Sequence, residues 1–286
     1  MRIYQGYTAE ELDRQYNARA TVPDVNVYLA EYAARSAACR ARLRCAANVP
    51  YGDHPDELLD IFPAERPGSP VLIYFHGGYW RALSKDDSSF MAETFVRAGA
   101  AVVAVDYSLA PAATLDTIVA QCRRALAWTW KNIAAWGGDP GRIAVCGSSA
   151  GGHIVGMLLA PGWHAEAGVP EDIVAAACPV SGLFDLTPLQ YTHINAWARL
   201  DPDAAARLSP LFHLPARGCP LLLAYGEHET AEFQRQSRDY LAAWRARGFA
   251  GECADMPGTN HFDVILKLAE SESPLTRGLM RMMDLA

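Results

Sequence analysis

The sequence predicts an α/β fold: a mostly parallel sheet covered by helices on both faces. Three observations carry that expectation. From about residue 57 onward, short apolar runs alternate with longer stretches of helical periodicity. The runs are continuously apolar rather than alternating, which marks strands buried on both faces. Small residues punctuate the junctions between runs and helices, most densely in "VCGSSAGGH" at 145–153.

The elements follow in order along the chain. Thr8-Ala-Glu-Glu11 has the pattern of a capping box and opens a short helix. Pro23-Asp24 breaks the chain, and residues 25 to about 45 read as a second helix. Strands are expected at Leu58–Phe62, Val71–Phe75, Ala100–Tyr107, Arg142–Cys146, Ile173–Val180, Leu221–Tyr225 and Glu252–Met256. Helices are expected near 87–98, 116–136, 150–159, 232–247, 262–269 and 274–284. The segment 183–213 has weak periodicity and many Pro, Asp and aromatic residues. No internal repeat or linker divides the chain, so one domain over 1–286 is expected. Its N-terminal helical segment (1–50) and the 183–213 insertion would form a small cap over the carboxyl edge of the sheet, where such folds bind ligands.

Composition narrows the partners. Of the 286 residues, 51% are hydrophobic and 20% charged, which is globular and core-forming. The net charge of −7, without a basic block, argues against nucleic acid and anionic membrane surfaces. The N-terminal stretch MRIYQGYTAEELDRQYNARA has no apolar segment of signal-peptide type. No window approaches the length of a membrane span. The seven cysteines are scattered, odd in number and without a C-x-x-C pair, so reduced thiols and a cytoplasmic location are expected. No H-E-x-x-H and no Cys/His ligand spacing occurs, and no metal or cofactor is expected. A homodimer is expected only because such dimers are common.

Gly147-Ser148-Ser149-Ala150-Gly151 fits G-x-S-x-G between a strand and a helix. In a nucleophile elbow the central serine occupies a strained turn with its hydroxyl above the sheet, and the next backbone N–H faces whatever it attacks. Ser149 is thus the candidate nucleophile, and the Ala150 amide a candidate oxyanion donor. Upstream, Val71–Phe75 runs into His76-Gly77-Gly78-Tyr79-Trp80. Gly77 and Gly78 can turn their amides toward a substrate oxygen, and Tyr79 and Trp80 read as an aromatic wall beside it. Arg81 is read as a solvated cation, with a substrate carboxylate as the alternative.

A serine nucleophile needs a base, and the base an orienting acid. Among the histidines downstream of Ser149, His153 is too close in sequence, while His164, His193 and His213 fall in or near irregular chain. His261 follows the last strand and the turn Pro257–Asn260, where the base belongs. The acid belongs in the loop Gly226-Glu227-His228-Glu229-Thr230. Glu229 is preferred over Glu227 because two further residues give the chain room to turn toward His261; Asp185 and Asp255 remain alternatives.

The chain resembles α/β-hydrolases of the kynurenine formamidase (arylformamidase) type, neighbours of the hormone-sensitive-lipase-like esterases. The resemblance rests on HGGYW at 76–80, GSSAGGH at 147–153, GEHETAEFQRQS at 226–237 and NHFDVI at 260–265, with LDRQYNAR at 12–19 and DYSLAP at 106–111. It spans nearly the whole chain. HGG and G-x-S-x-G are shared by many esterases, whereas HGGYW together with the E-F-x-R-Q-S segment is more specific. The resemblance implies an α/β-hydrolase fold, Ser149 as nucleophile and His261 as base. It places the acid, usually Asp, on Glu229, a departure that hints at a shifted substrate.

The expected activity is serine-dependent transfer of a small acyl group from an aryl amide or ester to water, of the N-formylkynurenine type. A carboxylesterase for short-chain or aryl esters is the competing enzyme. A non-catalytic binding protein on the same scaffold is the competing class, and it would be expected to lack Ser149, His261 or the glycines.

Overall fold

The structure, a computed structural model, describes residues 2–285. The chain opens with α1 (Ala9–Tyr16), capped by Thr8 and Glu11 in a reciprocal capping box, and α2 (Val25–Arg42), capped by Asp24. Then come β1 (Ala46–Pro50), β2 (Leu58–Phe62), β3 (Ser69–Phe75), α3 (Ala92–Arg97), β4 (Ala101–Val105) and α4 (Leu115–Asn132). The second half holds β5 (Gly138–Ser148), α5 (Ala150–Leu159), α6 (His164–Ala167), β6 (Ala176–Val180), α7 (Asn195–Ala198) and α8 (Pro202–Arg207). It ends with β7 (Leu221–Ala224), α9 (Ala231–Ala246), β8 (Gly251–Ala254) and α10 (Pro274–Met282).

The strands form one sheet in the order β1-β2-β4-β3-β5-β6-β7-β8. β2 runs antiparallel to both β1 and β4, and the remaining pairs are parallel. This is an α/β-hydrolase fold, and it sets the predicted apolar runs side by side. Alternate residues of β3 serve opposite faces. Val71, Ile73 and Phe75 enter one core, with Leu12, Ile118 and Ile154, while Leu72 and Tyr74 enter the other, with Phe95 and Leu279. Burial on both faces is why β3 and β4 carry no polar alternation.

The structure departs from the sequence reading at several elements, among them the helix expected near 87–98, which begins only at Ala92. β1 was not expected. Its sequence AANVP has no apolar run, it is largely exposed, and it pairs on one side only, so nothing in its composition marks a strand. The helix expected at 262–269 is a turn followed by a 3₁₀ segment, Ile265–Ala269. There the Asn260 and Asp263 side chains bind nearby backbone N–H groups and compete with helical hydrogen bonding. The expected strand 173–180 begins only at Ala176. The 183–213 segment folds as short helices, and its Leu183–Leu186 stretch is buried. Among the described residues no helix is long and apolar enough to cross a membrane.

Candidate active site

β5 ends at Ser148 and α5 begins at Ala150, so Ser149 makes the whole turn between them. Its φ of 56° and ψ of −115° lie outside the regions a serine prefers. The turn is held because the Ser149 N–H donates to the Val180 carbonyl at 2.8 Å, while the Ser149 carbonyl accepts from the His153 N–H at 3.0 Å. The elbow also needs Gly151, since a Cβ there would lie 2.0 Å from the Phe75 carbonyl oxygen. The Ser149 hydroxyl therefore stands at the N-terminus of a fully buried helix, where the helix dipole favours negative charge.

Two loops bring the second and third candidates together. Gly226 follows β7, and a Cβ on it would lie 2.7 Å from the Thr259 carbonyl. Its bare backbone lets the two loops touch, and the His228 N–H donates to that same Thr259 carbonyl at 2.9 Å. Across this seam His261 Nδ1 lies 3.0 Å from Glu229 Oε2, with both residues buried. The other carboxylate oxygen, Oε1, accepts from the Gly226 N–H at 2.7 Å and from the Ser181 hydroxyl. A carboxylate so bound needs the Nδ1 proton on the ring, which leaves Nε2 as the basic nitrogen. Phe233 packs against the imidazole, with centroids 4.3 Å apart. Tyr28, from α2, stacks on Phe262 and its hydroxyl oxygen accepts from the Asn260 side-chain N–H at 3.0 Å, bracing the His261 turn. Glu227 points elsewhere, accepting from the Gly258 N–H at 2.7 Å. Asp185 is taken by the Tyr4 hydroxyl and the Thr187 N–H, and Asp255 is exposed.

Gly77 and Gly78 pass directly over the elbow. The Gly77 Cα is so close that an added Cβ would meet the Ser148 carbonyl at 2.9 Å. Neither glycine's N–H makes a hydrogen bond among the described residues. Both glycines, Ser149 and His261 line one cavity of about 490 Å³, a size that takes a small organic ligand. Tyr79 lines it too, held by its hydroxyl's bond to the Tyr16 carbonyl at 2.6 Å.

Trp80 does not form the expected wall. It is fully buried and absent from the cavity lining, and its indole N–H donates to His153 Nδ1 at 3.2 Å. His153 Nε2 in turn meets the Leu208 carbonyl at 2.8 Å. This buried chain ties the HGGYW loop, the elbow helix and the 183–213 segment together, and burial lowers the His153 pKa to about 4. His76 is likewise buried, stacked on Tyr107, with its pKa pushed down to about 4.

The E-F-x-R-Q-S segment is also structural. Buried Glu232 accepts from the Tyr16 hydroxyl, and Gln236 holds the Phe184 and Asp185 amides at 2.8 and 2.7 Å. The cavity residues that the sequence reading missed include Arg19, Tyr32, Trp197 and Phe262. It also missed Ser181, whose signal was its place at the carboxyl end of a central strand. Among the described residues no group of three or more His, Cys, Asp or Glu side chains is placed to hold a metal ion.

A family model described as the alpha/beta hydrolase fold matches residues 72–263. The chain is 32% identical to a kynurenine formamidase of Danio rerio over 99% of both proteins. It is 31% identical to the esterase LipQ of Mycobacterium tuberculosis over 76% of this chain and 57% of that one. A crystal structure of a protein from Silicibacter sp. TM1040 superposes with a TM-score of 0.83 at 29% identity, covering 93% of this chain and 98% of the other. The resemblance read from the motifs is borne out, and the chain belongs to the α/β-hydrolase family as a serine hydrolase.

Proposed function

We propose that the enzyme removes a small acyl group from an aryl amide, with N-formylkynurenine as the type substrate. The observation that carries this reading is the full-length likeness to a kynurenine formamidase. In the proposed reaction Ser149 Oγ attacks the acyl carbonyl carbon and passes its proton to His261 Nε2. Glu229 holds the Nδ1–H and stabilises the imidazolium, a role supported by its 3.0 Å bond. The amides of Gly77 or Gly78 and of Ala150 receive the oxyanion, each such donor contributing about 2.7–4 kcal/mol. His261 then protonates the departing nitrogen, and the acyl group stays on Ser149. Water repeats the sequence on that ester and releases the acid.

An anilide is harder to cut than an ester because its nitrogen donates into the carbonyl and leaves poorly unless protonated. The reaction therefore depends on how His261 is oriented as much as on serine activation. A buried, doubly anchored Glu229 supplies that orientation. The reduced thiols of all seven cysteines fit a cytoplasmic setting.

The likeness to LipQ favours a second reading, a carboxylesterase for short-chain or aryl esters with the same residues in the same roles. Kinetics on formyl, acetyl and butyryl derivatives of one aryl leaving group separates the two. The formamidase reading expects kcat/KM to fall as the acyl chain grows, with the formyl anilide cleaved efficiently. Butyryl esters as best substrates, with formyl anilides untouched, would overturn it in favour of the esterase.

A further inference from the structure

We propose that the mouth of the Ser149 cavity carries a carboxylate subsite built on Arg81 and assisted by Arg19. The substrate would then be an aryl compound whose ring carries, besides the bond that is cut, a side chain ending in a carboxylate. The inference deepens, and rests on, the acyl-transfer reading above.

The first argument is charge. The protein is acidic overall, with 32 Asp and Glu against 25 Lys and Arg. Yet the cavity lining contains Arg19 and Arg81 and no carboxylate. Several guanidinium groups outside the cavity take acid partners, as Arg42 does with Glu93, Arg124 with Glu57 and Arg207 with Asp116, and others do not; what sets Arg19 and Arg81 apart is that they line the cavity. Among the described residues neither Arg19 nor Arg81 has an ion pair or a side-chain hydrogen bond. His193, also on the rim, is already matched, its Nδ1 lying 2.6 Å from Asp13. The two arginines are thus the uncompensated cations of the site.

The second argument is orientation. The Arg81 guanidinium carbon lies 4.4 Å from the centre of the Trp197 ring, a cation–π contact. Trp197 is itself fixed, its indole N–H donating to the Tyr79 carbonyl at 3.0 Å. The contact holds the guanidinium over the ring while none of its N–H groups has a partner among the described residues, and such a free fork can grip a carboxylate with two parallel bonds. It also restrains the side chain before any ligand arrives, which lowers the entropy cost of binding.

The third argument is placement. The Arg81 N–H donates to the Gly78 carbonyl at 3.0 Å, so a tight turn keeps the two Cα atoms within about 7 Å. The subsite is therefore anchored one turn from the proposed oxyanion donors. Tyr32, Tyr79 and Phe262 line the cavity with it and offer apolar rings to the arene.

The test compares N-formylkynurenine with the analogue whose carboxylate is a carboxamide, in wild type, Arg81→Gln and Arg81→Lys. The expected result is a wild-type preference in kcat/KM of about tenfold or more for the carboxylate, expressed in KM. Arg81→Gln should erase the preference, Arg81→Lys should keep part of it, and Arg19→Gln should reduce it. Because the readout is a ratio between two substrates, a variant that merely folds less well does not mimic the result. No preference in wild type, or one that survives in Arg81→Gln, overturns the subsite. If neither formyl anilide is cleaved, the amide reading fails by itself, and the comparison moves to phenyl acetates carrying a ring carboxymethyl or carboxamidomethyl group. An Arg81-dependent preference there supports the subsite; its absence overturns it.

Discussion

His261 Nδ1 and Glu229 Oε2 stand 3.0 Å apart inside the protein, and the far oxygen of the same carboxylate is held by Ser181 and Gly226. The carboxylate is held on one side and meets the imidazole on the other. Glu229→Gln keeps the shape but removes the charge that favours imidazolium. It should lower kcat by about ten-thousandfold, as loss of a triad carboxylate does elsewhere. Glu227→Gln should cost little, since that side chain only caps the Gly258 amide. Steady-state kinetics of the two variants checks this, and the opposite ranking would move the acid to Glu227.

Ser149→Ala should retain the fold, because the elbow is held by backbone bonds to Val180 and His153 rather than by the hydroxyl. Its kcat should drop by about a millionfold, since residues that act as a unit fail together. Ser148→Ala should cost far less. Labelling by a serine-reactive fluorophosphonate gives an independent check: wild type should be modified at Ser149 and the alanine variant should not.

Gly226→Ala tests the seam between the two loops. The new Cβ would meet the Thr259 carbonyl at 2.7 Å, with backbone on both sides of the clash. The loops must part, and Glu229 and His261 part with them. A displacement near 1 Å is enough to lower kcat by about a hundredfold. Wild-type turnover in this variant would show that the seam does not set the pair's geometry.

Burial of neutral histidines makes the fold sensitive to acid. His76 and His153 have their pKa lowered to about 4, from 6.5 in an unfolded chain. Between those values the unfolded chain binds more protons, so stability falls with falling pH, by about 1.4 kcal/mol per pH unit for each histidine. Asp106 works in the opposite sense. Burial raises its pKa to about 6, so the folded protein holds a proton that the unfolded chain has released, offsetting one histidine below about pH 6. His153→Gln should flatten the pH dependence by about one proton in urea unfolding between about pH 4.5 and 6.5. An unchanged slope would mean that His153 is not a buried neutral group.

Trp80→Phe removes the donor to His153 Nδ1 and leaves that nitrogen buried without a partner. The expected cost is about 1–3 kcal/mol in stability. KM should stay within about twofold of wild type, because the indole does not line the cavity. A large rise in KM with unchanged thermal stability would return Trp80 to the substrate wall.

Much of this was legible in the residues. The continuous apolar runs of β3, β4 and β5 announced a buried parallel sheet because each of these strands has packing on both faces. The edge strand β1 was silent for the converse reason: a strand paired on one side and exposed needs no apolar pattern. The 262–269 stretch had helical periodicity, but Asn260 and Asp263 captured the backbone locally.

The sequence by itself determined the sheet and the elbow at Ser149. It also determined the place of His261 after the last strand, since these follow from local pattern and chain order. Only the tertiary structure brought Glu229 rather than Glu227 against His261, through contact of two loops some 30 residues apart, 32 separating Glu229 from His261. It alone turned Trp80 into the core and set Arg81 on Trp197. The physical reason is that a side chain's neighbours across the fold depend on backbone bearings such as the positive φ of Tyr79, Trp80 and Ser181. Those bearings are imposed by long-range packing and hydrogen bonds rather than by the preferences of the residues that adopt them.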